Sequence, residues 1–366
     1  MCKIERMAAG LIKSVILCFD NSELSMTASD AAVRLAVSLN LSVTGIHAFN
    51  ASMHEGAFRI MEPTLPVQYQ KEEILKKQRD AHNTLINVGM ERISISYLKP
   101  CEELFSTAGV SYKSKIKEGK NFIAINEMIR ENEDDATLVV LGASGFNHRE
   151  PGFIGSVCMR VIRTTDADYL VVKRAVNFDS PNIVVCLDGS ETSISALKMA
   201  KETAETFDAQ LHLLYVFDTA LHRDVFARLK DSLIEGDGFT FNTKEQEKAH
   251  DDFIDVGLEK VGVMIIDRAE KEALNGNQAG IMSAGWGLVG DRLRLKPVIK
   301  QVLSGHIYKS ICDYAAKVSA ELIFIGRTGR HYIEGVDIGS VAENVIRYAP
   351  CSVFVSRAKE HKGWVM

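Results

Sequence analysis

The chain of 366 residues contains no C-x-x-C pair, and its seven cysteines (Cys2, Cys18, Cys101, Cys158, Cys186, Cys312 and Cys351) are scattered. That scatter argues against a disulfide framework and against a zinc site of ordinary ligand spacing. The thiols read instead as small apolar packing groups in a reducing compartment, so a cytoplasmic location is expected. No apolar run approaches the ~18 residues that span a bilayer. The opening MCKIERMAAGLIK lacks the long apolar core of a secretory leader. Charge of one sign is also lacking: 43 Lys and Arg stand against 48 Asp and Glu, a net −5. Neither nucleic acid nor an anionic membrane is therefore an expected partner. A G-x4-G-K-S/T phosphate loop is absent, and no Ser-His-Asp or Cys-His arrangement can be assigned from spacing. Catalysis thus has thin support, and no catalytic or metal-ligating residue is assigned.

What the sequence does have is a repeated glycine pattern. Leu322 to Ile325 is an apolar run of strand length, followed by Gly326, Gly329, Gly339 and Ser340 and then helix-like sequence. The same G-x2-G-x9-G-S spacing occurs earlier at Gly142, Gly145, Gly155 and Ser156. A strand, a glycine-rich loop and a helix start make an anion site, because glycine lets backbone approach a phosphate and the first helical N–H groups have no partner of their own. The alternative reading is that these glycines serve only as tight turns. Arg327, Arg330 and His331 crowd the second loop, as His148 and Arg149 do the first; they are either phosphate ligands or solvated loop charge.

Other segments repeat as well. Asp20-Asn21-Ser22 follows one buried-strand run (Lys13 to Phe19), and Asp188-Gly189-Ser190 follows another (Ile183 to Leu187), 168 residues later. Leu85-Ile-Asn-Val-Gly-Met-Glu-Arg92 matches Phe253-Ile-Asp-Val-Gly-Leu-Glu-Lys260 at the same offset. The second glycine loop lies 184 residues after the first, so the second half carries a net insertion of 16, placed at about 278–295. That insertion contains Ile281, Met282, Trp286, Leu288 and Val289 and is expected to pack over its own domain or the partner half; a mobile flap over a site or an oligomer contact is the other reading. A duplicated domain explains these spacings, with units expected over 1–175 and 181–358. Each unit alternates strand and helix, which implies an α/β fold with a parallel sheet covered on both faces. In the first unit the strands are expected at Lys13–Phe19, Leu41–Phe49, Val110–Lys117, Thr137–Leu141 and Tyr169–Lys173. A long charged helix is expected over about 68–108, broken near Pro100. Asp20 and Asp188 are read as helix caps, ligand contacts or both. His47 reads as a site-edge or core histidine, not a metal ligand; Tyr215 replaces it in the second half.

These residues resemble the universal stress protein family. The features that carry the resemblance are CFDNS and CLDGS after the first strands, IHAF and LYVF in the second strands, both glycine loops, and the ending GSVAENVIRYAPCSVFVSR. The resemblance implies a tandem member: two Rossmann-like units of the adenine nucleotide alpha hydrolase-like kind, each with five parallel strands in order 3-2-1-4-5, forming an intramolecular pseudo-dimer and leaving a further homodimer open. It implies ATP as ligand, with or without Mg2+, or AMP or another adenine nucleotide. It puts Asp20 and Asp188 near the nucleoside, the backbone of Ala48 and Val216 at adenine, and the glycine loops with Ser156, Val157, Ser340 and Val341 at ribose and phosphates; Arg327, read from the charge of its own loop, is placed with that set. The second unit keeps the family's Ala342-Glu343-Asn344 after its serine. The first has Cys158-Met159-Arg160 there and Pro151 in its loop, so the second unit is the stronger nucleotide site. The expected role is a regulatory binding module in stress response. A non-nucleotide ligand-binding or protein-interaction scaffold, and a slow ATPase or phosphotransferase, are the alternatives.

Overall fold

A computed structural model of the chain describes residues 11–132, 136–145, 153–219, 244–274, 295–330 and 337–357. The chain divides into two compact units near residue 175. In the first, the elements run β1 (Ser14–Cys18), α1 (Glu23–Leu39), β2 (Ser42–Phe49), α2 (Ala51–Met61), α3 (Glu72–Thr107), β3 (Tyr112–Glu118), α4 (Asn121–Asn132), β4 (Thr137–Gly142), α5 (Ser156–Thr164) and β5 (Asp168–Val172). The sheet order is β3-β2-β1-β4-β5 and the pairings β1–β2, β1–β4, β2–β3 and β4–β5 are parallel. The inner strands are continuous apolar runs because helices cover both of their faces: Val139, Val140, Leu170 and Val171 are buried. The outer β3 instead carries Lys113, Lys115 and Lys117, which keep a sheet edge from pairing with other chains.

The second unit repeats the plan: β6 (Asn182–Cys186), α6 (Glu191–Phe207), β7 (Gln210–Phe217), α7 (Lys244–Ala269), β8 (Ile299–Ser304), α8 (Ile307–Lys317), β9 (Leu322–Gly326), α9 (Ser340–Tyr348) and β10 (Ser352–Ser356). Its strands lie in the order β8-β7-β6-β9-β10, all parallel where paired. The insertion expected at 278–295 falls almost wholly outside the described residues.

Local sequence sets the helix ends. Ser22 and Ser190 accept from the backbone N–H three residues on, capping α1 and α6. Asn40 and Asp208 close the same helices in left-handed conformation at φ 56 and 51. Both helices pack a stripe of small residues on the sheet, Ala28, Ala31 and Ala32 in one and Ala196 and Ala200 in the other.

One expectation is corrected. Pro100 does not break the long helix, which runs unbroken from Glu72 to Thr107. The proline removes one N–H donor, but Ser94, Leu98, Cys101 and Phe105 continue a buried face straight through it. Burial of that stripe outweighs the local loss.

Candidate functional site

Strand order reverses at β1 in the first unit and at β6 in the second, since each is flanked by the strand that follows it and by the fourth strand of its unit. In open parallel sheets this reversal is where a ligand cleft lies, beyond the carboxyl ends of the strands. The register puts Cys18 beside Leu141 and Val185 beside Phe324, so each strand-end aspartate emerges next to its glycine loop.

The aspartates hold matching positions. Asp20 Oδ1 accepts from Ser22 N at 3.0 Å, and Asp188 Oδ1 accepts from Ser190 N at 2.9 Å and from Ser190 Oγ at 2.5 Å. That bonding bends the chain through a left-handed residue, Asn21 at φ 64 or Gly189 at φ 81, and Asn and Gly are the residue types that tolerate this conformation. The second carboxylate oxygen of each aspartate points at the loop. It lies 2.8 Å from where a Cβ on Gly145 would be, and 2.9 Å from the same point on Gly329. In the second unit it also accepts from Arg330 N at 3.2 Å. Each carboxylate is half-buried.

None of the six motif glycines has positive φ, and space accounts for the first two of each motif, where an added Cβ would come within 3.0 Å of a neighbour. A Cβ on Gly142 would stand 2.9 Å from the Leu24 carbonyl carbon, and one on Gly326 would meet Thr192 and the Ser193 nitrogen. The first glycine of each motif therefore lets the helix after β1 or β6 seat on the neighbouring strand. Gly155 and Gly339 close the loops: Gly155 N donates to Ala143 O at 2.8 Å and Gly339 N to Arg327 O at 2.9 Å. They are also the caps of α5 and α9, and neither offers a side-chain capping bond. The helix-start N–H groups at Ser156 and Val157, and at Ser340 and Val341, are left for another acceptor. Both serines are exposed and both valines half-buried.

Ala48 and Val216 are oriented by the ladder. In a parallel sheet alternate residues direct both backbone groups to the same neighbour. Ile46 O accepts from Phe19 N at 3.0 Å and Leu214 O from Leu187 N at 2.8 Å. Two residues on, Ala48 and Val216 turn the same way, beyond the point where β1 and β6 have ended. Their amide and carbonyl groups thus face the cleft. His47 Nδ1 lies 2.7 Å from Phe19 O and must donate its proton to that carbonyl. Burial holds the ring's pKa below its ordinary value, against the pull of the Phe19 bond and the Asp20 charge. The ring stands edge-on to Tyr97, with centroids 5.4 Å apart. Tyr215 fills the equivalent place over Gly262, which lacks the side chain that would obstruct it. Burial raises the Tyr215 pKa, with a smaller opposing pull from Arg330 and a further push from Asp188.

Arg327 departs from the expectation of a phosphate-facing loop arginine. It is 7% exposed, and its Nε donates to Asp337 O at 2.6 Å. The side chain ties the start of the glycine loop to its end. Two further ties were not legible in the motif: Thr192 Oγ donates to Thr328 O at 2.5 Å, and Ser190 Oγ approaches the same carbonyl at 3.4 Å. The first unit has Leu24 where Thr192 stands, so it cannot make the closer bond. Cys158, in place of Ala342, is buried, and burial pushes its thiol up to about 12. Arg160 lies over the Phe122 ring, 5.1 Å from its centroid. His148, Arg149, Pro151 and His331 lie outside the described residues.

Among the described residues no group of three or more His, Cys, Asp and Glu could hold a metal ion. No helix is long and apolar enough to cross a membrane.

Comparison with known proteins agrees with this geometry. A universal stress protein of Methanocaldococcus jannaschii is 28% identical over 173 residues, 47% of this chain and 79% of that protein. A universal stress protein from Archaeoglobus fulgidus shares the fold with a TM-score of 0.52 at 16% identity, over 94% of this chain and 98% of its own. A Pseudomonas aeruginosa protein of unknown function does so with a TM-score of 0.53 at 14% identity, over 95% and 93%. The family description "Universal stress protein family" matches the sequence twice, over residues 12–173 and 180–357. Two matches cover nearly the whole chain, and it belongs to the universal stress protein family as a tandem, two-domain member.

Proposed function

We propose that the chain is an adenine-nucleotide-binding regulatory module of the cytoplasm, with units over 1–175 and 181–358. ATP is the proposed ligand, and the second cleft is its principal site. One observation carries the reading: in both units a strand-end carboxylate stands over the second glycine of a loop that ends in an uncapped helix. A nucleotide is a ligand with complementary needs. Its phosphates are anions suited to the free N–H groups at Ser340 and Val341 and the N-terminal end of the helix dipole. Its ribose hydroxyls are donors suited to Asp188, which as a carboxylate only accepts. Adenine offers both a donor and an acceptor edge to the Val216 backbone. Gly329 and Gly339 keep the path between these groups open, Gly326 lets α6 seat beside the loop, and Arg327 holds the loop's shape from behind. Asp20, Ala48, Gly142, Gly145, Gly155, Ser156 and Val157 form the equivalent set in the first unit. Mg2+ would enter with the triphosphate, since no protein cage of carboxylates is assigned to it.

None of the six described cysteines is in a disulfide, which supports a reducing compartment. Binding, not turnover, is the proposed activity. The expected outcome is a higher melting temperature with ATP, lost when Gly339→Val fills the loop. Unchanged melting at millimolar ATP with magnesium, in protein shown by mass spectrometry to be ligand-free, overturns the reading. AMP measured alongside ATP tells whether the outer phosphates contribute.

A further inference from the structure

The two long helices α3 and α7 carry the same solvent-facing stripe, and neither cleft uses it. Leu85, Val88, Arg92 and Ile95 on α3 are spaced three, four and three apart, the a/d spacing of a helix that packs on another helix. All four are exposed, with Leu85 71% so. The opposite face, at Ser94, Leu98 and Cys101, is the one buried against the unit's own sheet. On α7 the same register holds Phe253, Val256, Lys260 and Val263, again all exposed, with Phe253 77% so. Ordinary solvated helix faces do not place large apolar groups at three of four seam positions, and here two different helices of one chain do so.

Two further features agree with a partner helix. Gly89 and Gly257 sit beside the seam in mid-helix, and a Cβ added to either would meet nothing within 4 Å. Glycine weakens a helix interior, and neither packing nor positive φ explains it here. A flat spot beside an apolar seam lets a second helix come close. Next, the one cation in each seam has a carboxylate next to it in sequence, Arg92 with Glu91 and Lys260 with Glu259. Among the described residues none of these four makes a side-chain hydrogen bond or ion pair.

We propose that this stripe is where a second copy of the chain docks, helix against antiparallel helix. A two-fold axis between Val88 and Arg92 sets Leu85 against Ile95 of the second copy at both ends. It also brings Arg92 within reach of Glu91 of the second copy, twice by symmetry, so the charge pattern is self-complementary. On α7 the same operation sets Phe253 against Val263 and Lys260 near Glu259. The register is identical whichever of the two helices meets which, because both carry one pattern.

The test is sedimentation equilibrium of the full chain. Val88→Glu with Val256→Glu buries unpaired charge at the seam and weakens self-association by about a hundredfold or more. Both positions face solvent in the single chain, so its melting temperature at low concentration stays unchanged, which separates lost docking from lost folding. Charge reversal is the sharper arm. Arg92→Glu with Lys260→Glu abolishes the dimer, and adding Glu91→Arg with Glu259→Lys restores it. Gly89→Ala with Gly257→Ala raises the melting temperature of the single chain while weakening the dimer. A wild-type chain that stays monomeric up to millimolar concentration overturns the proposal. So does a dimer that the Val88 and Val256 changes leave intact.

Discussion

Gly326 and Gly329 share one loop, yet substitution should separate them. A Cβ on Gly326 has backbone in its way: the Ser193 nitrogen at 2.8 Å and the Thr192 carbonyl carbon at 2.9 Å. Backbone at the start of a capped helix cannot yield cheaply, so Gly326→Ala forces β9 and α6 apart and costs about 1–3 kcal/mol. A Cβ on Gly329 meets only an oxygen of the Asp188 side chain, at 2.9 Å. That carboxylate can turn aside by giving up its bond from Arg330 N, a smaller loss than parting β9 from α6, and the proposed ribose acceptor is then misplaced. Urea midpoints with and without ATP check both halves of the expectation. Gly326→Ala should lower the midpoint strongly in either condition, and Gly329→Ala should lower it less but remove most of the increment due to ATP. Equal losses of stability in the two variants would show that the glycines share one structural role.

At the scale of elements, the link between α6 and the second glycine loop is a single hydroxyl. Thr192→Val keeps the side-chain shape and removes the donor to Thr328 O, whose remaining contact, Ser190 Oγ at 3.4 Å, is long. The expected cost is about 1 kcal/mol, with weaker ATP binding by calorimetry because the loop is held less firmly for its ligand. Wild-type affinity in this variant would mean that Arg327 alone fixes the loop. Elements of this kind show where sequence reading succeeds and where it stops. The strands were legible because buried parallel strands must be continuous apolar runs, and the helix starts because Ser22 and Ser190 are good caps. The Asp and glycine-loop pairing was legible as soon as β1 and β4 were taken as neighbours. The Arg327–Asp337 and Thr192–Thr328 ties were not, since each joins residues that meet only through the folded loop. The passage of α3 through Pro100 was missed because local propensity was weighed without the buried stripe that carries the helix past it. The first glycine of each motif was read as serving a phosphate, whereas the room it leaves is filled by the neighbouring helix.

For the whole molecule, duplication makes the two units comparable within one chain, and their differences predict unequal ligand response. The second loop is tethered by Thr192 and held by Arg327, while the first has Leu24 at the tether position and Ala143 at the arginine position. A loop that is already ordered loses less conformational entropy when a phosphate arrives, so the second unit should bind ATP more tightly. A ligand that binds only folded protein stabilises it by RT ln(1 + [L]/Kd), about 2.7 kcal/mol at a hundredfold excess over Kd. At ATP concentrations between the two dissociation constants, the second unit gains that increment and the first does not. Calorimetric unfolding should then broaden or split, with the later transition moving upward as ATP rises. Asp188→Asn should collapse the split, because it removes the proposed ribose acceptor from the tighter site. Asp20→Asn should leave the split in place at the same ATP concentration. If Asp20→Asn collapses it and Asp188→Asn does not, the order of the two sites is reversed and the tethers at Thr192 and Arg327 are not what tunes them.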